Sequence, residues 1–470
     1  MIKNIQGHDT KKTIRKIAVI STLGGLLFGY DTGVVNGALT YMKRPDQLNL
    51  SPTAEGLVTS SLLLGAAFGA MFGGRLSDKY GRKSVIKALA VVFFISTLGC
   101  SFSPTSNVII SFRFILGLAV GGASVIVPTF LAEIAPAKLR GSIVTQNEMM
   151  IVTGQLLAYV FNAILGNVFG DTAGIWRYMI AIASIPAVFL WFGMFMLPET
   201  PRWLAANGKV AKALEVLKQI REEAEAEAEL EEIQKNIDEE KNLDKATFRE
   251  LSTPWIRRLV LIGCVIGIIV QFSGINVMMY YGTTILEKSG LGTRAALVAN
   301  IGNGITSCIG VLVFIKLLSD RFGRKRLFLI GLSGTTIAMI AMTIVTSTIS
   351  KSYLLPVLVM CCTITYLAFY QSCLGPLAWL LESEIFPLRL RGLGMGIAVF
   401  VLWISNFLVG LLFPIMLARF GLSGSFISFA IFSILGFIFM WRFCPETRGK
   451  SLEEIEQSFR EYKKPEKEML

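Results

Sequence analysis

Two ionisable side chains stand inside long apolar stretches of the sequence, where little water is available to stabilise a charge. Asp31 lies in Gly29-Tyr-Asp-Thr-Gly33 and Arg113 lies in Ser111-Phe-Arg-Phe114. A charge at the centre of a helix in lipid costs about 2.5–3.5 kcal/mol on insertion scales, so such residues usually mark an ion or proton pathway. Their role depends on the elements that position them.

The composition predicts a polytopic membrane protein. Hydrophobic residues make up 53% of the 470 residues, charged residues only 17%, and the mean hydropathy is +0.60, which is more apolar than soluble globular chains are. Apolar runs of about 20 residues recur along the chain, which is the length a helix needs to cross a bilayer. Lipid offers no partner for free backbone amides, so each run should be helical. We predict an all-α fold with twelve spans in two sets of six: 14–38, 56–74, 84–103, 108–131, 143–166, 176–197, 259–284, 295–318, 327–348, 353–381, 393–416 and 421–442.

Basic residues set the expected orientation. Lys and Arg cluster before the first span and after the second and eighth, whereas the alternate loops hold only scattered basic residues. This pattern predicts a multi-pass protein of the cell membrane with both termini in the cytoplasm. The formal charge of +12 has the same cause, so we expect no nucleic-acid partner.

The residues that enzymes and metal sites need are scarce. The seven Cys form no Cys-x-x-Cys, His8 is the only histidine, and no nucleophile stands with a base inside the spans. We expect neither an enzyme nor a cofactor or metal.

With the spans placed, Asp31 and Arg113 fall at comparable depths. Span one should run outward and span four inward, which puts Asp31 about seven and Arg113 about five residues from the outer ends at about 1.5 Å per residue. They could form an ion pair within the membrane. Neutralising Asp31 would free Arg113, which is what proton coupling requires, but a permanent pair that only holds two helices together is the alternative.

An internal repeat relates the two sets of spans. Asp78 to Lys83, Glu133 to Gly141 and Pro198 to Thr200 recur in matching order 242, 251 and 247 residues later. The repeated motifs lie on the predicted cytoplasmic side and contain both acidic and basic residues. Ion pairs between them could therefore lock the halves together on that side while the outside is open. The candidate gate residues are Asp78, Arg82, Glu133, Arg140, Glu199, Asp320, Arg324, Glu384, Arg391 and Glu446.

The repeat predicts the domain organisation. Residues 1–197 should form the first six-helix bundle and 259–442 the second. The charged stretch between them, 198–258, suits short cytoplasmic helices, and 443–470 forms a cytoplasmic tail.

These motifs resemble the sugar porter family of the major facilitator superfamily over essentially the whole chain. The resemblance rests on Gly74-Arg-Leu-Ser-Asp-Lys-Tyr-Gly-Arg-Lys83, Pro198-Glu-Thr-Pro-Arg-Trp203 and Pro445-Glu-Thr-Arg-Gly449. Within the family, Gly24 to Val34, Val144 to Met150 and Glu384 to Gly394 are most similar to bacterial myo-inositol transporters. The resemblance implies proton coupling through Asp31 and Arg113, although some coupled relatives carry a Glu in the sixth helix, where this chain has Ala183.

A polyol site needs amides that donate and accept hydrogen bonds, and a flat aromatic ring to cover the C–H face of the sugar. Together the candidates reproduce the family's binding pattern: Gln155, Gln271, Asn276, Gly375, Trp379, Trp403 and Asn406. Each alone could equally be a helix-packing residue. Val270 and Leu402 stand where relatives usually have Gln, which predicts an altered hydroxyl preference.

Two spans contain helix-breaking residues, and a third feature has no assigned role. Gly274 and Asn276 should bend the seventh span, and Gly375-Pro376 the tenth.

Glu382, where relatives usually have an apolar residue, could join a network with Arg389 and Arg391 or snorkel towards the cytoplasm.

The sequence therefore predicts a proton-coupled importer of a cyclic polyol or monosaccharide, with myo-inositol favoured, that works by alternating access. A facilitative uniporter and a non-transporting nutrient sensor are the alternatives. The expected partners are the sugar or inositol, protons and the lipid bilayer, and we expect a monomer.

Overall fold

A computed structural model describes residues 2–136, 140–242, 248–318, 321–349 and 352–449, together with residues 454, 457 and 459. This part of the chain is helical, with no strand. The helices of the first half are α1 (Ile2–Met42), α2 (Pro52–Tyr80), α3 (Arg82–Ser101), α4 (Ser106–Ile134), α5 (Arg140–Val168), α6 (Ile175–Ala181) and α7 (Ser184–Phe195).

Three shorter helices follow, α8 (Pro201–Ala206), α9 (Val210–Ile220) and α10 (Glu223–Asn242), and a 3-10 turn covers Phe248–Ser252. The second half contains α11 (Pro254–Phe272), α12 (Ile275–Lys288), α13 (Thr293–Val313), α14 (Arg324–Thr348), α15 (Leu354–Cys373), α16 (Gly375–Ile385) and α17 (Leu388–Phe443). A π-helical turn, Phe314–Leu318, extends α13.

Eleven helical stretches within the described ranges are long and apolar enough to cross a membrane. The last of them, Gly392–Phe443, is two helices joined at Gly421, whose φ of 67° and ψ of −171° are not helical. Counting these two helices separately makes twelve spans, as predicted.

Both helix interruptions predicted from glycine and proline are present. Gly274, with a φ of 101°, separates α11 from α12, and Leu374 separates α15 from α16 just before Gly375-Pro376. A further break at Ile182-Ala183 separates α6 from α7. Neither residue is Gly or Pro, but Pro186 lies four residues after Ile182 and has no N–H to donate to the Ile182 carbonyl oxygen, so this proline was the available signal.

Small residues allow helices of the first half to approach closely. A Cβ on Gly121 would lie 2.0 Å from the carbonyl oxygen of Ala66, and one on Gly69 would lie 2.3 Å from that of Leu118. These glycines therefore let α2 and α4 pack backbone against backbone.

Among the described residues, the two halves meet mainly along three helix pairs, namely α1 with α12, α2 with α17, and α5 with α13. The helices α8–α10 lie at one end of the bundle, where α9 contacts α1 and Arg221 donates two hydrogen bonds of 3.2 Å to the carbonyl oxygen of Ile134. We call this end the linker face and the other end the opposite face. The predicted domain boundaries stay predictions.

Candidate functional site

The structure brings Asp31 of α1 and Arg113 of α4 together in the interior. Two guanidinium nitrogens face the two carboxylate oxygens at 3.4 Å each, and the residues are only 2% and 1% exposed. The distances exceed the 2.7–2.9 Å typical of charge-assisted hydrogen bonds, so the pair is loose. The Nε of Arg113 has no hydrogen-bond partner among the described residues. A buried pair of this kind could separate when one member loses its charge.

The predicted binding residues of α5 and α17 are buried polar groups with spare hydrogen-bonding capacity. Gln155, Trp403 and Asn406 are all buried. Within the described part of the chain, Oε1 of Gln155, Nε1 of Trp403 and Oδ1 of Asn406 have no hydrogen-bond partner. Burying such groups is costly unless a partner is supplied, so each is suited to a hydroxyl of a ligand.

Aromatic residues of both halves border these groups. The rings of Phe28 on α1 and Trp403 on α17 meet edge to face with centroids 5.8 Å apart. Tyr280 of α12 lies beside Thr32 of α1 and Asn406 of α17. Its hydroxyl makes no hydrogen bond of good geometry to the described residues. Trp403, Tyr280 and Asn406 therefore lie where the two halves meet.

The remaining predicted binding residues lie at the two helix breaks of the second half. The amide of Asn276 donates to Oε1 of Gln271 across the Gly274 break. Gly375 begins α16 beside Gln371, and Trp379 follows one turn later. No hydrogen bond or ring contact described here joins Gln155 or Trp379 to another predicted binding residue.

An amide network that sequence analysis missed joins the halves towards the opposite face. Asn36 of α1 donates to the carbonyl oxygen of Met279 at 2.6 Å, and its Oδ1 accepts from the backbone N–H and the hydroxyl of Thr283 at 2.8 and 2.6 Å. Asn300 donates to the same hydroxyl at 2.9 Å and accepts from Asn303. An amide in an apolar run was the available signal, but its partners lie more than 240 residues away.

Ion pairs close the same end of the bundle. Lys43 and Glu287 lie 3.1 Å apart, and Arg294 and Asp171 lie 2.6 Å apart. Each pair joins one half to the other. In this structure the two halves are therefore held together at the opposite face.

At the linker face, the first half gathers four of its predicted gate residues into one cluster. Arg82 contacts Glu133 at 3.1 Å and Asp78 at 2.9 Å, and Glu133 accepts the Thr200 hydroxyl at 2.5 Å. The Glu199 carboxylate accepts the backbone N–H of Lys83 at the start of α3. A carboxylate there is stabilised by the helix dipole.

The second half repeats this cluster. Arg324 contacts Glu384 at 3.2 Å, Glu384 accepts the Thr447 hydroxyl at 2.5 Å, and Glu446 accepts the backbone N–H groups of Arg324 and Lys325 at 2.7 and 3.2 Å. The described pairs thus connect elements of one half, and the predicted lock between halves stays a prediction. Asp320 lies outside the described residues, and so do the side chains of Arg140 and Arg391.

Glu382 of α16 is fully buried, with 0% of its surface exposed. The snorkelling interpretation is therefore wrong for this structure, because a snorkelling carboxylate would reach the surface. Neither carboxylate oxygen has a hydrogen-bond partner among the residues that the structure describes. The side chains of Arg389 and Arg391 lie outside the description.

Comparisons with known proteins show what the chain is similar to. Residues 17–459 match the family model described as "Sugar (and other) transporter". The major myo-inositol transporter IolT of Bacillus subtilis (strain 168) is 56% identical over 459 residues, which cover 98% of this chain and 97% of that protein.

Two solved structures of the xylose transporter XylE have a similar fold. One, from E. coli in a partially occluded inward-open conformation, has a TM-score of 0.82 and 31% identity over 94% of this chain and 100% of that chain. The other, described as a major facilitator superfamily proton:xylose symporter bound to 6-bromo-6-deoxy-D-glucose, has a TM-score of 0.76 and 32% identity over 96% of this chain and 100% of that chain.

Proposed function

The chain belongs to the sugar porter family of the major facilitator superfamily, and from that premise we propose that it imports a cyclic polyol, myo-inositol in the first place, together with protons. Import proceeds by alternating access: the site between the halves opens to one side of the membrane at a time. In this proposal the linker face and both termini are cytoplasmic.

The observation that carries the substrate proposal is the set of unsatisfied, buried polar atoms in Gln155, Trp403 and Asn406. Trp403 and Asn406 lie beside Phe28 and Thr32 of the first half. Oε1 of Gln155 and Oδ1 of Asn406 are acceptors, and Nε1 of Trp403 is a donor. Together they suit a ring that carries several hydroxyls, because each hydroxyl both donates and accepts a hydrogen bond. The Phe28 and Trp403 rings provide apolar surface for C–H groups. The similarity to a named myo-inositol transporter supports the choice among polyols.

Coupling uses the buried Asp31–Arg113 pair. While Asp31 is charged, it holds Arg113 through two contacts of 3.4 Å. A proton that arrives from outside removes the carboxylate charge and releases Arg113, which changes the relative free energies of the outward-open and occluded states. The description of the related XylE as a proton:xylose symporter supports proton coupling.

The conformational change separates the halves at the outer end. It must break the hydrogen bonds between Asn36 and Thr283 and the ion pairs of Glu287 and Asp171. The two clusters around Glu133 and Glu384 lie within one half each. Each half can therefore rotate as a unit.

Uptake of labelled myo-inositol into reconstituted vesicles, with and without an inward proton gradient, tests the proposal. We expect uphill accumulation that requires the gradient. Saturable exchange without gradient-driven accumulation would establish a facilitative uniporter instead, and ligand binding without any movement would establish a sensor. A competition panel of unlabelled inositols, xylose, glucose and arabinose would rank the substrates, and a stronger competitor than myo-inositol would overturn the substrate assignment.

A further inference from the structure

Glu382 is a buried carboxyl group that the proposed transport cycle does not use. It lies three residues after Trp379 on α16, near the end of the helix that approaches the linker face, and it is fully buried. Both oxygens lack a hydrogen-bond partner among the described residues. By contrast, Asp31 has Arg113, and Glu384 has Arg324 and Thr447.

An ionised carboxylate without a counter-charge or hydrogen bonds is one of the most costly groups to bury, and the usual outcome is that the group takes up a proton. We propose that Glu382 is a second proton-binding site, occupied by a proton in this structure and emptied when a movement of α16 exposes the carboxyl group to water. The protonation itself is independent of the proposed function. Its role in transport rests on that function.

The surroundings of Glu382 fit a neutral acid. Helix α11 presents the Cys264 thiol, a titratable group within electrostatic range of Glu382. On α15, the hydroxyl of Tyr370 donates to the carbonyl oxygen of Val270 at 3.5 Å. On α14, Arg324 is engaged by Glu384. From α17, the side chains of Arg389 and Arg391 lie outside the description.

The position of Glu382 gives its proton a direction of release. Helix α16 begins at the Leu374 break and packs against α11, α14, α15 and α17. A movement of α16 that opens the linker face would hydrate the carboxyl group and favour ionisation. Proton release would favour the state in which the carboxyl group is hydrated, and reprotonation would favour the buried arrangement described here.

The direct test is infrared spectroscopy of the purified full-length protein, with Glu382→Gln as the variant. The C=O stretch of a protonated carboxylic acid is separate from that of an ionised carboxylate. We expect the wild type at neutral pH to show a carboxylic acid band that weakens as the pH is raised and that is lost in Glu382→Gln. Asp46→Asn, which changes an exposed carboxylate, should leave the band unchanged. An identical acid band in wild type and Glu382→Gln would overturn the proposal.

Exchange of myo-inositol at equal pH on both sides of the vesicle tests the role in transport. Glutamine mimics the protonated acid, so Glu382→Gln should keep at alkaline pH the exchange rate that the wild type shows only at lower pH. Glu382→Leu, which also removes the buried polar group, should fold and show the same loss of pH dependence. Parallel pH profiles for wild type and both variants would overturn this role. If the wild type shows no proton-driven accumulation but keeps the Glu382 band, the proposed function fails and the proton site stands.

Discussion

Asp31 and Arg113 face each other through two parallel contacts of 3.4 Å between α1 and α4, and both are buried. The pair is neutral overall and lies beside Tyr280, which comes from the other half of the chain. Because Tyr280 also borders Asn406, a change in the pair has a short path to the predicted substrate site. A prediction for coupling follows from this relationship.

Asp31→Asn should separate exchange from coupling. The amide keeps the shape of the side chain but cannot carry the charge that changes on protonation, so Arg113 is permanently released. We expect exchange of labelled for unlabelled substrate to continue in vesicles, while accumulation driven by a proton gradient falls to simple equilibration. Asp46→Asn removes a charge from an exposed loop and should accumulate substrate like the wild type. Loss of exchange together with accumulation in Asp31→Asn would make the pair a structural one.

Gln155→Ala should weaken substrate binding. A hydrogen bond between neutral groups contributes about 0.5–1.5 kcal/mol, so the Kd for myo-inositol should rise about two- to tenfold, as measured by calorimetry on purified protein. Trp403→Phe, which keeps a ring but removes the N–H donor, should have an effect of similar size. Gln146→Ala changes an exposed amide on the same helix and is the matched control. An unchanged Kd in both site variants would remove these residues from the substrate site.

Asn36→Ala should favour the state that is open at the opposite face. The substitution removes three hydrogen bonds between the halves, to the carbonyl of Met279 and to the backbone and hydroxyl of Thr283. At about 1 kcal/mol each, their loss would shift the equilibrium by up to about 3 kcal/mol. Spin labels at positions 46 and 292, one on each half, should report a larger population of long distances. Asn107→Ala, which changes an exposed amide, is the control and should give the wild-type distance distribution. A wild-type distribution for Asn36→Ala would mean that the network does not hold the halves together.

Sequence reasoning reached those features that depend on residue type and on position along one helix. Glycine and proline marked the breaks at Gly274 and Gly375, and equal depth from the span ends matched Asp31 with Arg113. The bond between Asn36 and Thr283 depends on how two helices of different halves are rotated, which no local pattern encodes. By contrast, the break at Ile182-Ala183 has a local cause in Pro186, which cannot donate a hydrogen bond to the Ile182 carbonyl oxygen. The burial of Glu382 could not be inferred from the sequence. A carboxyl group near the end of a span can be exposed and ionised or buried and protonated, and the residue type does not decide between the two.

The two linker-face clusters predict couplings within halves in this state. Arg82 contacts Glu133 at 3.1 Å, and Arg324 contacts Glu384 at 3.2 Å, so each arginine has its carboxylate partner in its own half. A double-mutant cycle on Glu133→Gln with Arg82→Gln should give a coupling free energy of about 0.5–3 kcal/mol in thermal unfolding, because the residues share a contact. The cycle on Glu133→Gln with Arg324→Gln is the matched comparison and should be additive within about 0.5 kcal/mol. If the second cycle shows the larger coupling, the clusters join the halves to each other, and the rotation of each half as a unit would have to be abandoned.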